Sequence, residues 1–282
     1  MKKIFLVGAL CCLSANVSAN LVLGNATVTF GGITPGYDNS ALTSSLLTGV
    51  DATDLGDTGL TGVNNQGIFV ETFDTITNLG TNLTPSPFGP VDTSFNSTSG
   101  DNSGCSVNSA GAGVNTTGSL SVRKNDLTSV AVIGYQDNCF GYTPEDGQGS
   151  GSVNLDFNPI LASSAALTGM EMGIDYFGFY WATIDTYNTF TFRNDGLDVL
   201  VLTGQDLIDA LSGLQRGRDG QYVNVYFNDG IFFDELNVLS TVRAAEFDNI
   251  VNRITAVPEP SIFAIFALGI MGLVSRRFKK QS

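Results

Sequence analysis

Three groups of residues in this chain have types and spacing suited to chemistry. Pro258-Glu259-Pro260 sets one carboxylate between two prolines. Each proline fixes φ and removes an N–H, so the tripeptide stays extended and outside any helix, a form that a protease can read. Asp51, Asp54 and Asp57 crowd three carboxylates into one loop, with Gly56 and Gly59 to bend it. These are the hard oxygen donors that calcium takes, although the loop lacks the closing Glu of an EF-hand and a solvated polar loop is the plainer account. Asp195-Gly196 with Asp198 is a weaker acidic loop of the same kind. Calcium is the only cofactor that these residues suggest. Asp234-Glu235 and the pair Glu246 and Asp248 are the best candidates for the two carboxylates of glycoside hydrolysis. Glu246 and Asp248 would share one face of a strand, where a solvated surface or the closing of a turn beside Asn249 explains them more simply.

Other chemistry is excluded by composition. The chain has no His, which removes Ser-His-Asp and Cys-His nucleophile systems and the usual zinc sites. Aromatic side chains offer a different surface: Trp181, Tyr180 and Tyr187 are candidates for a glycan platform, with Tyr176, Tyr222 and Tyr226 nearby in sequence. Aromatic residues in strands are more often core than platform, and Trp181, the single Trp, is the first to test.

The two ends of the chain state where these groups work. Met1-Lys2-Lys3, the apolar run Ile4 to Leu13 and the small residues Val17-Ser18-Ala19 form a secretory leader, with cleavage expected between Ala19 and Asn20. Cys11 follows Leu10, where a lipoprotein signal wants a small residue, so the lipoprotein alternative is set aside. At the other end an apolar run from Ile262 to Val274 follows the Pro-Glu-Pro tripeptide. As a helix it would be about 20 Å long, short against a hydrocarbon core of roughly 30 Å. Arg276, Arg277, Lys279 and Lys280 come directly after it; their long side chains can snorkel to headgroups and hold that end on the cytoplasmic side. The order of tripeptide, short apolar helix and basic cluster resembles the PEP-CTERM sorting signal. The resemblance implies that exosortase, a membrane protease-transpeptidase, recognises Pro258-Glu259-Pro260 and removes the anchor. It also implies export across the inner membrane, a transient inner-membrane anchor, and a final place on the cell surface or in the extracellular matrix.

Three regions follow: a signal peptide over 1–19, an ectodomain over 20–256 and the sorting signal over 257–282. The chain carries 27 Asp and Glu against 13 Lys and Arg, a net charge of −14, and six of the basic residues belong to the two ends. An ectodomain this acidic disfavours nucleic acid and anionic lipid as partners. After the leader, Cys105 and Cys139 remain, an even count in an oxidising compartment, which reads as one disulfide.

Along the ectodomain the pattern is of short strands between Gly, Ser, Asn and Asp turns. Ala26 to Phe30, Ile68 to Phe73, Leu120 to Val122 and Val130 to Ile133 read as strands in the first half. Tyr176 to Trp181, Thr189 to Phe192, Val199 to Leu202 and Tyr222 to Phe227 follow in the second. Asp206 to Leu214 alone reads as a helix, with Asp206 as its N-cap. Many short strands and almost no helix predict an all-β fold, a β-sandwich of jelly-roll type, with a single C-terminal transmembrane helix in the precursor. The runs Tyr176 to Trp181, Asp185 to Phe190, Gln221 to Asn224 and Ala245 to Ile250 also resemble PEP-CTERM surface proteins with a β-sandwich ectodomain. Related tails occur in ice-binding proteins, but a flat ice-binding plane needs a regular array of Thr, and no repeat of fixed period is present.

The function expected is that of an exported, exosortase-processed surface or matrix protein with a structural or adhesive role, not an enzyme. A carbohydrate-binding module for extracellular polysaccharide is the alternative, and a secreted carboxylate-dependent glycosidase the third reading. Signal peptidase and exosortase are the expected partners during export.

Overall fold

The computed structural model describes residues 20–31, 67–71, 73, 114–124, 139–145, 147–211 and 220–258. The described chain is mostly strand, as the alternating runs predict. In the first half β1 is Leu21–Leu23, β2 Ala26–Phe30, β3 Ile68–Glu71, β4 Asn115–Gly118, β5 Ser121–Lys124 and β6 Cys139–Thr143. After β7 (Gly151–Asp156) comes the helix α1 (Asn158–Thr168), followed by β8 (Met172–Ala182), β9 (Asn188–Asn194) and β10 (Leu197–Thr203). The second helix, α2 (Gly204–Ala210), leads to β11 (Gln221–Phe227), β12 (Glu235–Ser240) and β13 (Ala245–Ala256).

Two antiparallel sheets result. The larger has the order β1-β2-β11-β8-β13-β6-β5, with β3 also paired to β13; the smaller has the order β10-β9-β12-β7-β4. From β6 onward the chain changes sheet at every connection except the β9–β10 hairpin. That alternation is what lets one face of each sheet close over the other. Phe177, Phe179, Trp181, Val223, Val225 and Phe247 of the larger sheet join one core with Val153, Leu155, Phe190, Phe192, Leu236 and Val238 of the smaller. Ring pairs cross between the layers: Phe179–Phe190 at 4.6 Å, Trp181–Phe190 at 4.5 Å and Phe177–Phe192 at 5.3 Å between centroids. Each such pair contributes about 0.5–1.5 kcal/mol beyond the area it buries.

Both helices differ from the sequence reading. The α2 helix is capped by Thr203: its hydroxyl accepts from the Asp206 N–H at 3.2 Å, and the Asp206 carboxylate accepts from the Thr203 N–H at 2.8 Å. Asp206 is therefore the returning half of a capping box and not the cap. The helix ends at Ala210, with Leu211 extended behind it. The α1 helix falls where the sequence reading placed no helix. Pro159 occupies the first turn, where a missing N–H costs nothing, and burial of Ile160 and Leu161 supplies the stabilisation that a thin apolar stripe does not announce. Gly169, at φ 71°, closes it in the left-handed region. Among the described residues no helix is long and apolar enough to cross a membrane; the apolar run 262–274 lies outside them, as does the strand expected at Val130 to Ile133.

Candidate functional site

The last described residues form the junction between the folded body and the tripeptide. β13 pairs with β8 down to Ala256 opposite Met172, two residues before Pro258. The Val257 N–H then donates to the Glu171 carbonyl at 2.8 Å. Pro258 has no N–H to continue the ladder, and it stands exposed. So the strand ends one residue short of the tripeptide.

Around that exit gather the connections at one end of both sheets: α1 and its link to β8, the β9–β10 turn and the β11–β12 loop. They enclose a cavity of about 390 Å³, lined by Leu161, Met172 and Phe232 together with Glu171, Asp195, Asp234 and Val257 itself. The local sequence explains the geometry. Asn194-Asp195-Gly196-Leu197 is a two-residue hairpin turn with Asp195 at φ 50° and Gly196 at φ 74°, the left-handed pair that Asp-Gly supplies at little cost. The buried Asp234 carboxylate accepts the Asp195 N–H at 3.0 Å, pinning that turn to the start of β12. Burial pushes the Asp234 carboxyl above its usual range; the Asp195 N–H opposes this, while Asp195, Glu235 and Asp156 add to it. Arg193 sits on the outer side of the same rows, donating to Asp198 at 2.8 Å and to Glu235 at 2.7 Å.

The carboxylates singled out from sequence prove to be engaged with backbone N–H groups or with neighbouring side chains. Asp234 holds the turn, Glu235 is paired with Arg193, and Asp198 takes the other side of that guanidinium. The Asp195 and Asp198 loop is therefore a tight turn and an ion pair, and the described residues contain no group of three metal-ligating side chains. Asp248 is fully buried, and its Oδ1 accepts the N–H of Asn249 at 2.7 Å, where β13 bulges and Asn249 takes φ 51°. Glu246 lies opposite Ala182, two rows along. Burial pushes its carboxyl up; the Thr183 hydroxyl donates to it, Arg123 and Arg243 oppose the shift, and Asp185 adds to it.

The aromatic candidates divide. Trp181 is 0% exposed and packs on Phe179 and Phe190 in the shared core, so it offers no ring face to a glycan. Its position follows from alternation: Phe177, Phe179 and Trp181 point inward, which sends Tyr176, Gly178 and Tyr180 to the other face. There the Tyr176 hydroxyl donates to Asn224 Oδ1 at 2.7 Å and the Tyr222 hydroxyl to the Asn249 carbonyl at 2.9 Å. Tyr180 is half-buried, and the half-buried Tyr187 donates to Asp185 at 2.5 Å. The tyrosines form a hydrogen-bonded layer, which sequence reasoning saw only as a row of rings.

The remaining candidates lie at or beyond the described residues. Asn20 is exposed at the start of the described chain, while Ala19 precedes it. Cys139 opens β6, its side chain undescribed, and Cys105 lies outside the described residues. So do Asp51, Asp54 and Asp57, Glu259 and Pro260, and Arg276, Arg277, Lys279 and Lys280.

No curated protein and no solved structure matches the chain. One family model does: residues 256–280 match the PEP-CTERM protein-sorting motif, and the match begins at Ala256, the final residue of β13. Pro258, the first residue of the tripeptide, follows the last strand exposed, and the chain carries a PEP-CTERM sorting motif, which implies export and processing by exosortase.

Proposed function

We propose that this is an exosortase-processed surface or extracellular-matrix protein whose β-sandwich ectodomain, of jelly-roll type, has a structural or adhesive role. The observation that carries the reading is the junction: the sorting motif starts at the last residue of the central strand β13, so the folded body is what the motif delivers. The order β6-β13-β8-β11 in one sheet and β7-β12-β9-β10 in the other supports the jelly-roll reading, since eight strands alternating between two sheets is how that fold is wound. A structural role is favoured over catalysis because the buried carboxylates Asp234 and Asp248 already serve backbone N–H groups. The precursor is held in the inner membrane by the run Ile262 to Val274 and its basic cluster until the tripeptide is cut.

Carbohydrate binding is the second reading, and one face favours it. Register across the smaller sheet sets Val201, Thr191, Asn237, Asn154 and Thr117 in one row pointing away from the core. Hydroxyls, amides and exposed methyls without charge suit a neutral polysaccharide. Intact mass of the surface form from an exosortase-bearing host tests the first reading: residues 261–282 should be missing. A glycan array with the native protein and an Asn237→Ala, Thr191→Ala variant tests the second. Equal signals from both proteins, or none from either, would leave that face without a glycan role.

A further inference from the structure

The tripeptide leaves the folded body with almost no slack. Among the described residues Val257 is the last tied to the sheet end, and Pro258 after it is exposed. From Val257 to Ile262, where the apolar run starts, a fully extended chain spans at most about 18 Å. An ectodomain of this size is wider than that gap. An enzyme acting on the tripeptide at the membrane must therefore work against the end of the domain from which the chain exits.

That end has a built feature. The cavity of about 390 Å³ lies beside Val257, with Leu161, Met172 and Phe232 as its apolar part and Glu171, Asp195 and Asp234 as its carboxylates; among the described residues neither Lys nor Arg lines it. Three of the exposed large apolar side chains stand at the same end: Leu167 at 59% and Met170 at 48% in the α1–β8 region, and Leu197 at 73% in the β9–β10 turn. Carboxylates beside an apolar wall suit a long basic side chain, whose stem packs on the wall while its head reaches the acids. Building on the sorting reading above, we infer that this end of the domain docks on the membrane protease that reads the tripeptide, and that the cavity beside Val257 receives a Lys or Arg side chain of that enzyme. Docking then fixes where Pro258-Glu259-Pro260 enters the protease. Anionic lipid does not fit the same face, because Glu171, Asp195 and Asp229 at this end would meet headgroups of their own sign.

The test follows conversion of full-length precursor to the mature form by pulse-chase in an exosortase-bearing host. Glu171→Lys reverses charge at the cavity while leaving the backbone strap to Val257 intact, and should slow conversion about threefold to fivefold, the effect of one solvent-screened charge pair. Glu171→Asp should restore the rate. A flexible insert of about ten Gly and Ser residues between Val257 and Pro258 leaves domain and tripeptide whole; under docking it slows conversion, whereas without docking the added slack leaves the rate equal or faster. The insert decides the matter if Glu171→Lys loses protease resistance and is misfolded. Wild-type conversion in both variants overturns the inference. So does flotation of the mature protein with phosphatidylglycerol vesicles that is lost in Leu167→Ser, Leu197→Ser, which would assign the face to lipid. Glu259→Ala separates the two levels: if it blocks conversion while the other variants do not, docking fails and sorting stands; if it converts normally, the sorting reading itself fails.

Discussion

Individual side chains set most of the measurable behaviour of this fold. Glu246 is the clearest pH-sensitive group. Its folded carboxyl titrates above the ordinary 4.5 because burial disfavours the charge, so the folded state binds the extra proton. The stability linked to neutral Glu246 is present below about pH 4.5 and is lost as pH rises through the raised folded value. Urea unfolding of the mature protein at about pH 4 and about pH 7 should show that slope, and Glu246→Gln should flatten it; an unchanged slope would remove Glu246 as its source. Asn252 poses a different case. It is 0% exposed between Phe69 and Phe177 in register, and among the described residues neither amide atom has a hydrogen-bond partner. Replacing a buried unpaired amide by an apolar group of similar size removes a desolvation penalty, so Asn252→Leu should raise stability by about 1–3 kcal/mol. At Gly178, an added Cβ would collide with the Tyr176 hydroxyl and come within 3.0 Å of the Tyr222 hydroxyl. Gly178→Ala should break the tyrosine layer and destabilise by about 1–3 kcal/mol in the same titration, as overpacking does.

At the level of elements, what was legible in sequence is what alternation or a strong propensity announces. Thr189 to Phe192 and Tyr222 to Phe227 alternate cleanly, and both are strands with the apolar set buried. β13 was harder to see as one strand of twelve residues, because Asp248, Asn249 and Asn252 interrupt its apolar pattern. The bulge at Asn249 and the pairing of both flanks with β8 restore it, and neither is written locally. The α1 helix was missed for the same reason: its stability comes from packing on the core, not from an amphipathic stripe. The two-sheet interface depends on Phe190, which meets Phe179, Trp181 and Phe247 across the layers. Phe190→Ala should cost about 3–5 kcal/mol in denaturant titration. A cost under about 1 kcal/mol, the range of surface substitutions, would mean that the layers do not share that core.

For the molecule as a whole, the ends and the body speak through different physics. The sorting motif, and the leader and oxidising compartment expected from sequence, are local readings: each depends on a few adjacent residues and on no distant partner. The Cys105–Cys139 pairing expected in that compartment would close a loop of about 34 residues and contribute about 3–4 kcal/mol; non-reducing peptide mapping of the secreted protein should find one linked pair and no alkylatable thiol. The absence of His excluded whole classes of catalysis before any fold was known, and β-rich architecture followed from period-two runs between Gly and Asn turns. What sequence could not supply is where side chains from distant segments meet. Trp181 looked available for a ligand until β8 was wound into the interface, and Asp234 and Asp248 looked available for acid–base work until a turn at Asp195 and a bulge at Asn249 claimed them. The cavity beside Val257 draws on α1, three turns and the end of β13, segments up to about a hundred residues apart. Periodicity and motif are properties of neighbours along the chain; burial and cavities arise from pairings between strands far apart in it, and only the folded chain decides those.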